Sequence, residues 1–245
     1  IVKCILHLFK NLGQRVTLCA PTGRAAKRLS EATGEEAKTI HRLLDLDYKD
    51  GKGFFTYNDQ TRLPVDVIIV DEMSMVDEYV FNALVKAINN GSRLVLVGDK
   101  DQLASVGAGN VLGDLISSGK FPVSYLTQIY RQDEDSHIIT NAHMINNGVM
   151  PVMDNRSKDF FFEESNSAEE IARTTIELVT KRLPGYLKVS PDEIQVLCPM
   201  KRGSAGIYNL NRYLQASLNP PSREKKEFRH GEFIFREGDK VMQMQ

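Results

Sequence analysis

The sequence predicts an α/β fold organised around a parallel β-sheet, and three observations lead to this prediction. Apolar runs of strand length alternate with segments whose apolar residues recur at helical spacing. The run Val65–Glu72 (VDVIIVDE) is apolar and largely β-branched before it ends in two carboxylates, as in a strand buried on both faces of a parallel sheet. Polar residues repeatedly follow such runs, and α/β sheets bind their ligands at the carboxyl ends of their strands.

Length and composition narrow the function classes. The 245 residues suffice for one large or two ordinary domains, and 42% hydrophobic with 26% charged residues is ordinary for a soluble globular protein. The net charge of −1 means that any polyanion-binding surface must be local. Three cysteines without a CxxC spacing argue against a disulfide framework or a zinc site. With no apolar run of membrane-spanning length and no signal peptide, we expect a cytoplasmic protein without a membrane partner.

The first predicted elements are a helix and a strand. Apolar residues on one face predict a helix over Ile1–Leu12, which Gly13 ends, and Arg15–Ala20 predicts a short buried strand. Because the chain begins inside this helix, and with Ile rather than Met, we expect it to be a piece of a longer protein, cut at both ends.

A basic turn follows that strand. The segment Pro21–Gly23 turns the chain, Thr22 caps the next helix, and Arg24 begins the basic side of that helix. Backbone amides and cations at the carboxyl end of a strand suit a phosphodiester backbone, although a solvated basic helix face is the alternative. His41, on a short helix capped by Thr39, lies near this basic side and is either a phosphate contact or a structural histidine.

The central strand leads into an acidic turn and a longer helix. The polar stretch Tyr48–Leu63 predicts a hairpin or excursion before the strand. Adjacent side chains of a strand point to opposite faces, so we expect Asp71 and Glu72 to have different roles at the end of the strand. One division gives Asp71 a hydrated Mg²⁺ and leaves Glu72 to orient or deprotonate a water. The alternative is an acid-rich helix N-terminus, since apolar positions over Val76–Ile88 predict a helix there.

Two further residues extend this predicted site. The next strand, Arg93–Val97, is followed by Gly98, which permits close backbone approach, and by Gln102, which can hold a water or sense a terminal phosphate. Arg131 either reaches a γ-phosphate as an arginine finger or pairs with neighbouring acids. The other elements predicted in this part are a flexible segment Ser105–Gly109, a helix ending near Ile116, a strand Pro122–Leu126 and a helix Ser136–Asn146.

A composition shift at Asn146–Pro151 marks a predicted domain boundary. Beyond it, Lys201 and Arg202 form a second basic turn, and nine basic against five acidic residues between Lys201 and Lys240 make this segment the better polyanion surface. The other predicted elements are strands at Phe160–Phe162, Glu193–Cys198, Phe233–Phe235 and Lys240–Met244, a helix from the capping box of Ser167 and Glu170 to Arg182, a helix after Gly203, and loops at Pro184–Pro191 and Arg223–His230.

Four segments occur in an informative order: APTGRAAKRLSE, IIVDEMSMVD, LVGDKDQLASVGAG and LTQIYRQ. This order resembles the motif set of superfamily 1 helicases, most closely the RecD-like branch, the exonuclease V α-subunit helicases. The resemblance implies a RecA-like parallel sheet of the P-loop NTPase type. It also implies a first RecA-like ATPase domain without its P-loop over residues 1–148, part of a second RecA-like domain over 149–231, and the start of a small SH3-like β insertion over 232–245.

The resemblance also implies roles for single residues. It gives Asp71 the Mg²⁺ that accompanies ATP, and Glu72 the catalytic base. Gln102 would contact the γ-phosphate region, and Arg131 would be the arginine finger. Family members use ATP to move 5′→3′ along single-stranded DNA in recombination and repair, some of them with nuclease or helicase subunits of a larger complex. The residues expected along single-stranded DNA are Pro21, Thr22, Gly23, Arg24, His41, Lys201 and Arg202.

The resemblance is incomplete, because the phosphate-binding loop G-x-x-x-x-G-K-[ST] is not in the sequence. We therefore expect the 245-residue chain to bind ATP weakly and not to turn it over, while a longer parent protein does. Three alternatives stay open: the helicase portion of a conjugative relaxase, another P-loop ATPase with no DNA role, and a nucleic-acid-binding adaptor without catalysis.

Overall fold

The computed structural model describes residues 1–49, 52–126 and 136–241. The chain divides into two compact units, residues 1–133 and 134–245, which are described separately below. This division falls before the predicted boundary at residue 148, and it places the helix His137–Asn146 in the second unit. The types of domain assigned to the two parts stay predictions.

The first unit is built on a four-stranded parallel sheet, which confirms the predicted fold class. The strands run in the order β2-β1-β5-β6, and every neighbouring pair is parallel. An antiparallel hairpin, β3–β4, precedes the central strand, as the polar stretch there predicted. The elements are α1 (Val2–Asn11), β1 (Val16–Ala20), α2 (Gly23–Thr33), β2 (Ala37–Thr39), α3 (Ile40–Leu43), β3 (Leu46–Lys49), β4 (Lys52–Phe55), β5 (Val67–Val70), α4 (Glu78–Ala87), β6 (Arg93–Leu96) and α5 (Val111–Ser117).

Strand β5 is the centre of the core, and all four of its side chains are fully buried. Its residues alternate between two apolar layers, because successive side chains of a strand point to opposite faces. Val67 and Ile69 pack in the layer that contains Leu6 of α1 and Leu29 of α2. The other two residues of the strand pack in the layer formed with α3 and α4. The prediction of a strand buried on both faces is confirmed.

Side-chain caps begin several helices where the sequence predicted them. The backbone N–H of Ala25 donates to Thr22 Oγ1 at 3.2 Å, and the N–H of Arg42 donates to Thr39 Oγ1 at 3.2 Å. In the second unit Ser167 Oγ accepts from the N–H of Glu170, but the Glu170 carboxylate accepts from Asn166 rather than from Ser167 itself. The predicted helix starts are therefore correct. The predicted capping box differs in one bond, because the Glu170 carboxylate accepts from the residue before the expected donor.

Three predicted strands are wrong. Within the described residues, Pro122–Leu126 and Phe160–Phe162 have irregular backbone, and the predicted strand Glu193–Cys198 begins at the last residue of a 3₁₀ turn and is irregular after it. None of the three pairs with a described strand. Phe160 and Phe162 are instead held in turns, because their N–H groups donate to Ser157 Oγ and Asn155 Oδ1. An apolar run of strand length is therefore not enough when no neighbouring strand offers backbone partners.

The second unit is mainly helical. Its elements are α6 (His137–Asn146), α7 (Ala168–Glu177), a π-helical turn (Leu178–Arg182), α8 (Leu183–Leu187), α9 (Ile207–Leu218) and the antiparallel hairpin of β7 (Glu227–His230) and β8 (Phe233–Arg236). Two further predictions are wrong here, since α8 occupies part of the predicted loop Pro184–Pro191 and β7 lies in the predicted loop Arg223–His230. Lys240 and Val241 are irregular, and the rest of the predicted strand Lys240–Met244 lies outside the described residues. The SH3-like insertion stays a prediction.

A polar network fastens the β7–β8 hairpin to α9. Asp239 accepts hydrogen bonds from Gln215 at 2.6 Å, from Asn219 at 2.7 Å and from the backbone N–H of Arg236 at 2.7 Å. Arg236 is 9% exposed, and its guanidinium donates to Glu227 and to the Asn219 carbonyl. Burial alone would raise the pKa of the Asp239 carboxyl, but the hydrogen bonds outweigh burial and hold that pKa below its ordinary value.

In the part of the chain that the structure describes, no helix combines the length and the apolar character needed to cross a membrane.

We expect Asp239→Asn to destabilise the second unit at neutral pH by on the order of 1 kcal/mol, because one of the two carboxylate oxygens that accept these three hydrogen bonds is replaced by an amide nitrogen, which only donates. A carboxyl whose pKa is lowered in the folded state stabilises the fold above its unfolded pKa, and this contribution disappears as the pH falls through the folded pKa. Melting temperatures of the wild type and the variant should therefore converge below about pH 4. Asp154→Asn, at an exposed position of the same unit, serves as the control. A difference that stays constant down to pH 2 would contradict the expectation.

Candidate functional site

Three parallel strands of the first unit end at one edge of the sheet. The N–H of Asp71, just past β5, donates to the carbonyl of Cys19 in β1 at 2.9 Å. On the other side, the N–H of Met73 donates to the carbonyl of Val97, just past β6, at 2.9 Å. These bonds continue the strand ladders beyond β5, so the acidic pair Asp71–Glu72 lies between the ends of β1 and β6.

Glu72 adopts an unusual backbone conformation. Its φ of 54° and ψ of 43° are left-handed, a region that L residues other than glycine seldom occupy. Its N–H donates to Asp71 Oδ1 at 3.0 Å, and the next residue, Met73, is fully buried. Such strain persists only where the surrounding structure imposes it, and it concentrates at functional sites.

The structure separates the acidic pair from the α-helix that follows. A 3₁₀ turn, Met73–Met75, comes directly after Glu72, and α4 begins only at Glu78. The N-terminal cap of α4 is Asp77, whose Oδ1 accepts from the N–H of Val80 at 2.8 Å. Asp71 and Glu72 are therefore not first-turn acids of α4, and this favours a site at the strand end over the helix-dipole alternative.

Gly98 brings the end of β6 against the end of β5. A Cβ at this position would lie 3.0 Å from the backbone nitrogen of Met73 and 3.0 Å from a methyl group of Leu112. Because real Cβ atoms tolerate contacts this short only when a neighbour moves, a glycine fits here and a larger residue does not. The close approach expected at Gly98 is thus present, and it faces the acidic turn.

Gln102 and Arg131 complete the predicted catalytic set. Gln102 lies in the turn after β6, where its N–H donates to the Asp99 carbonyl at 3.2 Å and its side chain is exposed. Arg131 lies outside the described residues. The structure thus places Asp71 and Glu72 together, and Gln102 in the turn after the neighbouring strand. The convergence of all four side chains stays a prediction.

The first predicted DNA-binding turn lies at the same edge. Thr22 and the exposed Arg24 begin α2 directly after β1. His41 belongs to α3, which follows β2, and β2 pairs with β1 in parallel, Ala20 opposite Thr39. The half-buried His41 ring also lies 6.0 Å from the ring of Phe55. The basic N-terminus of α2 and His41 therefore lie at the same edge of the sheet as the acidic turn.

The second predicted DNA-binding turn belongs to the second unit. Lys201 and Arg202 are exposed, and the turn is closed onto α9 because the N–H groups of Ile207 and Tyr208 donate to the carbonyls of Met200 and Lys201. Gly206 is essential to this closure. A Cβ there would lie 2.3 Å from the carbonyl oxygen of Arg202.

Sequence reasoning missed how the segment Ser105–Gly109 is held. This segment, predicted as flexible, is bound to the start of α4, where the N–H of Glu78 donates to the Ala108 carbonyl at 3.0 Å. A Cβ at Gly107 would lie 2.1 Å from Oδ2 of Asp77, so only glycine allows the contact. The two glycines of SVGAG were the available signal, because glycine also marks places where two backbones approach closely.

The residues at this rim suit a hydrated magnesium ion better than they suit a whole nucleotide. Mg²⁺ in phosphate-handling sites is held by one or two carboxylates together with substrate phosphates, and Asp71 offers such a carboxylate. Within the described ranges, no three His, Cys, Asp or Glu side chains form a metal cluster. The loop G-x-x-x-x-G-K-[ST], which would hold the phosphates, is not in the sequence.

Comparisons with known proteins identify relatives of the chain. The family model described as AAA domain matches residues 1–162. The ATP-dependent RecD2 DNA helicase of Deinococcus radiodurans is 40% identical over 219 residues, which are 89% of this chain and 28% of that protein. The RecBCD enzyme subunit RecD of Mycolicibacterium smegmatis is 32% identical over 236 residues, covering 86% of this chain and 42% of that protein. A crystal structure of Bacteroides Pif1 bound to ssDNA is similar with a TM-score of 0.43 at 17% identity, covering 91% of this chain and 50% of that chain.

We expect Gly98→Ala to destabilise the first unit by about 1–3 kcal/mol, because the added methyl group overpacks the contact with Met73 and Leu112. Thermal or urea unfolding measures the effect. Gly185→Ala is the matched control, since a Cβ at that helical position meets nothing within 4 Å and should be neutral or stabilising. Equal stability of wild type and Gly98→Ala would show that the contact is looser than described.

Proposed function

Since the chain belongs to the RecD-like family of superfamily 1 helicases, with an AAA domain over residues 1–162, we propose that it is part of an ATP-dependent DNA helicase. In this proposal ATP hydrolysis drives 5′→3′ movement on single-stranded DNA in recombination and repair. The observation that carries it is the acidic turn Asp71–Glu72, with its left-handed Glu72, at the end of the fully buried β5. The chain spans 28% and 42% of the two relatives described above, so the activity of a whole protein is proposed rather than established.

The proposed hydrolytic roles follow from where each group lies. Asp71 would hold Mg²⁺, which would neutralise charge on the ATP phosphates. Glu72, in its left-handed conformation just past the end of β5, would orient the attacking water and accept its proton. Gln102, in the exposed turn after β6, would contact the γ-phosphate region. Arg131, in the segment LTQIYRQ, would be the arginine finger.

The first group of proposed DNA contacts follows β1, the strand next to the one that ends in the acidic turn. Pro21, Thr22, Gly23 and Arg24 follow β1, and the carbonyl of Cys19 in β1 accepts from the N–H of Asp71. One hydrogen bond and the backbone from Cys19 to Arg24 therefore connect the acidic turn to the basic turn. A motor protein requires a connection between its ATP-hydrolysis site and its DNA-binding surface. His41, Lys201 and Arg202 would add backbone phosphate contacts.

The wider setting is part of the same proposal. One relative is named a helicase and the other a subunit of the RecBCD enzyme, so we propose that the protein acts alone or with nuclease or helicase subunits. We also propose a cytoplasmic location. The division into a first RecA-like domain over 1–148, part of a second over 149–231 and an SH3-like segment over 232–245 belongs to this proposal as well.

We expect no ATP turnover by the 245-residue chain, because the loop that holds the phosphates is not in its sequence. In a longer protein that contains the chain and such a loop, Glu72→Gln should lower kcat for DNA-stimulated ATP hydrolysis at least about 100-fold, the usual contribution of a general base. Glu78→Gln, which changes an exposed acid at the start of α4, is the control. An unchanged kcat in Glu72→Gln would remove the catalytic role and favour the adaptor alternative.

We expect removal of the basic turns to weaken single-stranded DNA binding in a salt-dependent way. The variants are Arg24→Gln and the double variant Lys201→Gln, Arg202→Gln, measured by fluorescence anisotropy with an oligodeoxythymidine over a range of salt concentrations. Each lost phosphate contact should reduce the slope of log K against log salt by about 0.7. Lys3→Gln and Arg156→Gln remove exposed charges elsewhere in the two units and should leave the slope unchanged. A loss of affinity that is the same at all salt concentrations would argue against phosphate contacts.

A further inference from the structure

Gln102 lies in a loop whose two ends are bonded to the same short stretch of chain. We call residues 98–107 the Gln102 loop, and we call Met73–Glu78, which comes directly after the acidic turn, the connecting turn. The N–H of the first residue of the connecting turn donates to the carbonyl of Val97 at 2.9 Å. The N–H of its last residue donates to the carbonyl of Ala108 at 3.0 Å. The loop therefore begins and ends on the connecting turn.

The connecting turn is itself firmly held. The N–H of Val76 donates to the Met73 carbonyl at 3.1 Å, and both of these residues are buried. Asp77 caps α4 through its Oδ1. The N–H of Met75 donates to the carbonyl of Glu72 at 3.1 Å, which joins the connecting turn to the proposed base. Both ends of the loop are therefore attached to a segment whose position relative to Glu72 is fixed.

The Gln102 loop buries no large apolar side chain. From residue 98 to residue 110, all of which the structure describes, every residue except Ser105 is exposed. Leu103 is 90% exposed and Val106 is fully exposed. A loop with so few buried apolar contacts keeps its conformation through hydrogen bonds and close backbone contacts. The position of Gln102 therefore depends on such bonds.

Ser105 shapes the end of the loop that lies on α4. Its hydroxyl donates to the carbonyls of Gly107 and Gly109, at 2.9 Å and 3.1 Å. In this shape Gly107 lies against the side chain of Asp77, since a Cβ on the glycine would lie 2.1 Å from Oδ2 and 2.8 Å from Cβ of the aspartate. Gly109 lies against Glu78 in the same way, with a Cβ there 3.1 Å from the Cβ of the glutamate. The Ser105 hydroxyl thus holds the shape in which the loop fits the start of α4.

We propose that Ser105 is a positioning residue for Gln102. Its hydroxyl holds the end of the loop on α4, and this attachment sets where Gln102 lies relative to Glu72. The inference rests on the proposed function, in which Gln102 contacts the γ-phosphate region and Glu72 orients the attacking water. Ser105 touches no nucleotide and acts through Gln102 alone. Because turnover requires each polar group at a defined place, a loosened loop lowers the rate without removing a reacting group.

Hydrogen exchange of the 245-residue chain tests whether Ser105 holds the loop. Glu78 is the first residue of α4, so its N–H has no acceptor within the helix and depends on the Ala108 carbonyl. In Ser105→Ala this N–H should exchange faster than in the wild type, and Ser105→Thr, which keeps a hydroxyl, should restore the slower rate. The N–H of Val80, which donates to Asp77, should keep its rate and is the internal control. An unchanged rate at Glu78 in Ser105→Ala would overturn the proposal.

A double-variant cycle tests whether Ser105 acts through Gln102. The readout is DNA-stimulated ATP hydrolysis by a longer protein that contains the chain and a phosphate-binding loop. Ser105→Ala should lower kcat/KM about 2- to 10-fold, the equivalent of one neutral hydrogen bond. Ser105→Thr should restore kcat/KM. Ser118→Ala, which removes a comparable hydroxyl bond to the Leu115 carbonyl elsewhere in the first unit, is the matched control and should leave kcat/KM unchanged.

The double variant Ser105→Ala, Gln102→Ala gives the decisive comparison. It should be no slower than Gln102→Ala alone, because the placement of a glutamine that has been removed cannot be lost again. Losses that multiply in the double variant would show that Ser105 acts independently of Gln102, and they would overturn the proposal.

The same measurements separate this proposal from the function on which it rests. If Glu72→Gln loses turnover as expected while Ser105→Ala keeps the wild-type kcat/KM, the positioning role is excluded and the proposed function stands. If neither Glu72→Gln nor Gln102→Ala lowers turnover, both proposals fail.

Discussion

Complete burial of β5 is the constraint on which the first unit depends. A strand with no exposed side chain needs an apolar layer on each face and a hydrogen-bonded strand on each edge, and α1, α2, α3, α4, β1 and β6 supply these. The chain can place two carboxylates next to this strand only where burial ends. That point is the carboxyl edge, and Asp71 and Glu72 are the first half-buried residues there. The apolar core therefore determines where the polar chemistry is located.

Close backbone contacts then convert this edge into a defined geometry. Asp71 is bonded to β1 and Met73 to the end of β6, so Glu72 must connect two fixed points and takes a left-handed conformation to do so. Gly98 allows the end of β6 to lie close to Met73, and Gly107 allows the segment Ser105–Gly109 to contact Asp77, the N-terminal cap of α4. Backbone hydrogen bonds thus connect three strand ends within a few residues of the acidic turn.

Sequence reasoning succeeded where the signal was local and failed where it depended on a partner. β5 and the caps at Thr22, Thr39 and Ser167 were predictable, because an apolar run between turns and a hydroxyl before a helix act over a few residues. Pro122–Leu126 had the composition of a strand, but none of the described strands pairs with it. β7 was missed for the opposite reason, since its charged residues Glu227 and Arg229 resemble a loop until β8 is aligned beside it. In the candidate site, the strand-end position of Asp71 and Glu72 followed from the apolar run that precedes them. The strained backbone of Glu72 did not, because it arises from contacts with two other strands.

The second unit shows how one helix positions two different kinds of contact. The N-terminus of α9 closes the basic turn of Lys201 and Arg202, and its C-terminal residues Gln215 and Asn219 hold the β7–β8 hairpin. Twelve helical residues span about 18 Å, so the separation between the basic turn and the hairpin is set by a rigid element rather than by a loop. The polar network around Asp239 fixes the hairpin to that element, because its hydrogen bonds come both from α9 and its C-terminal cap and from the hairpin itself.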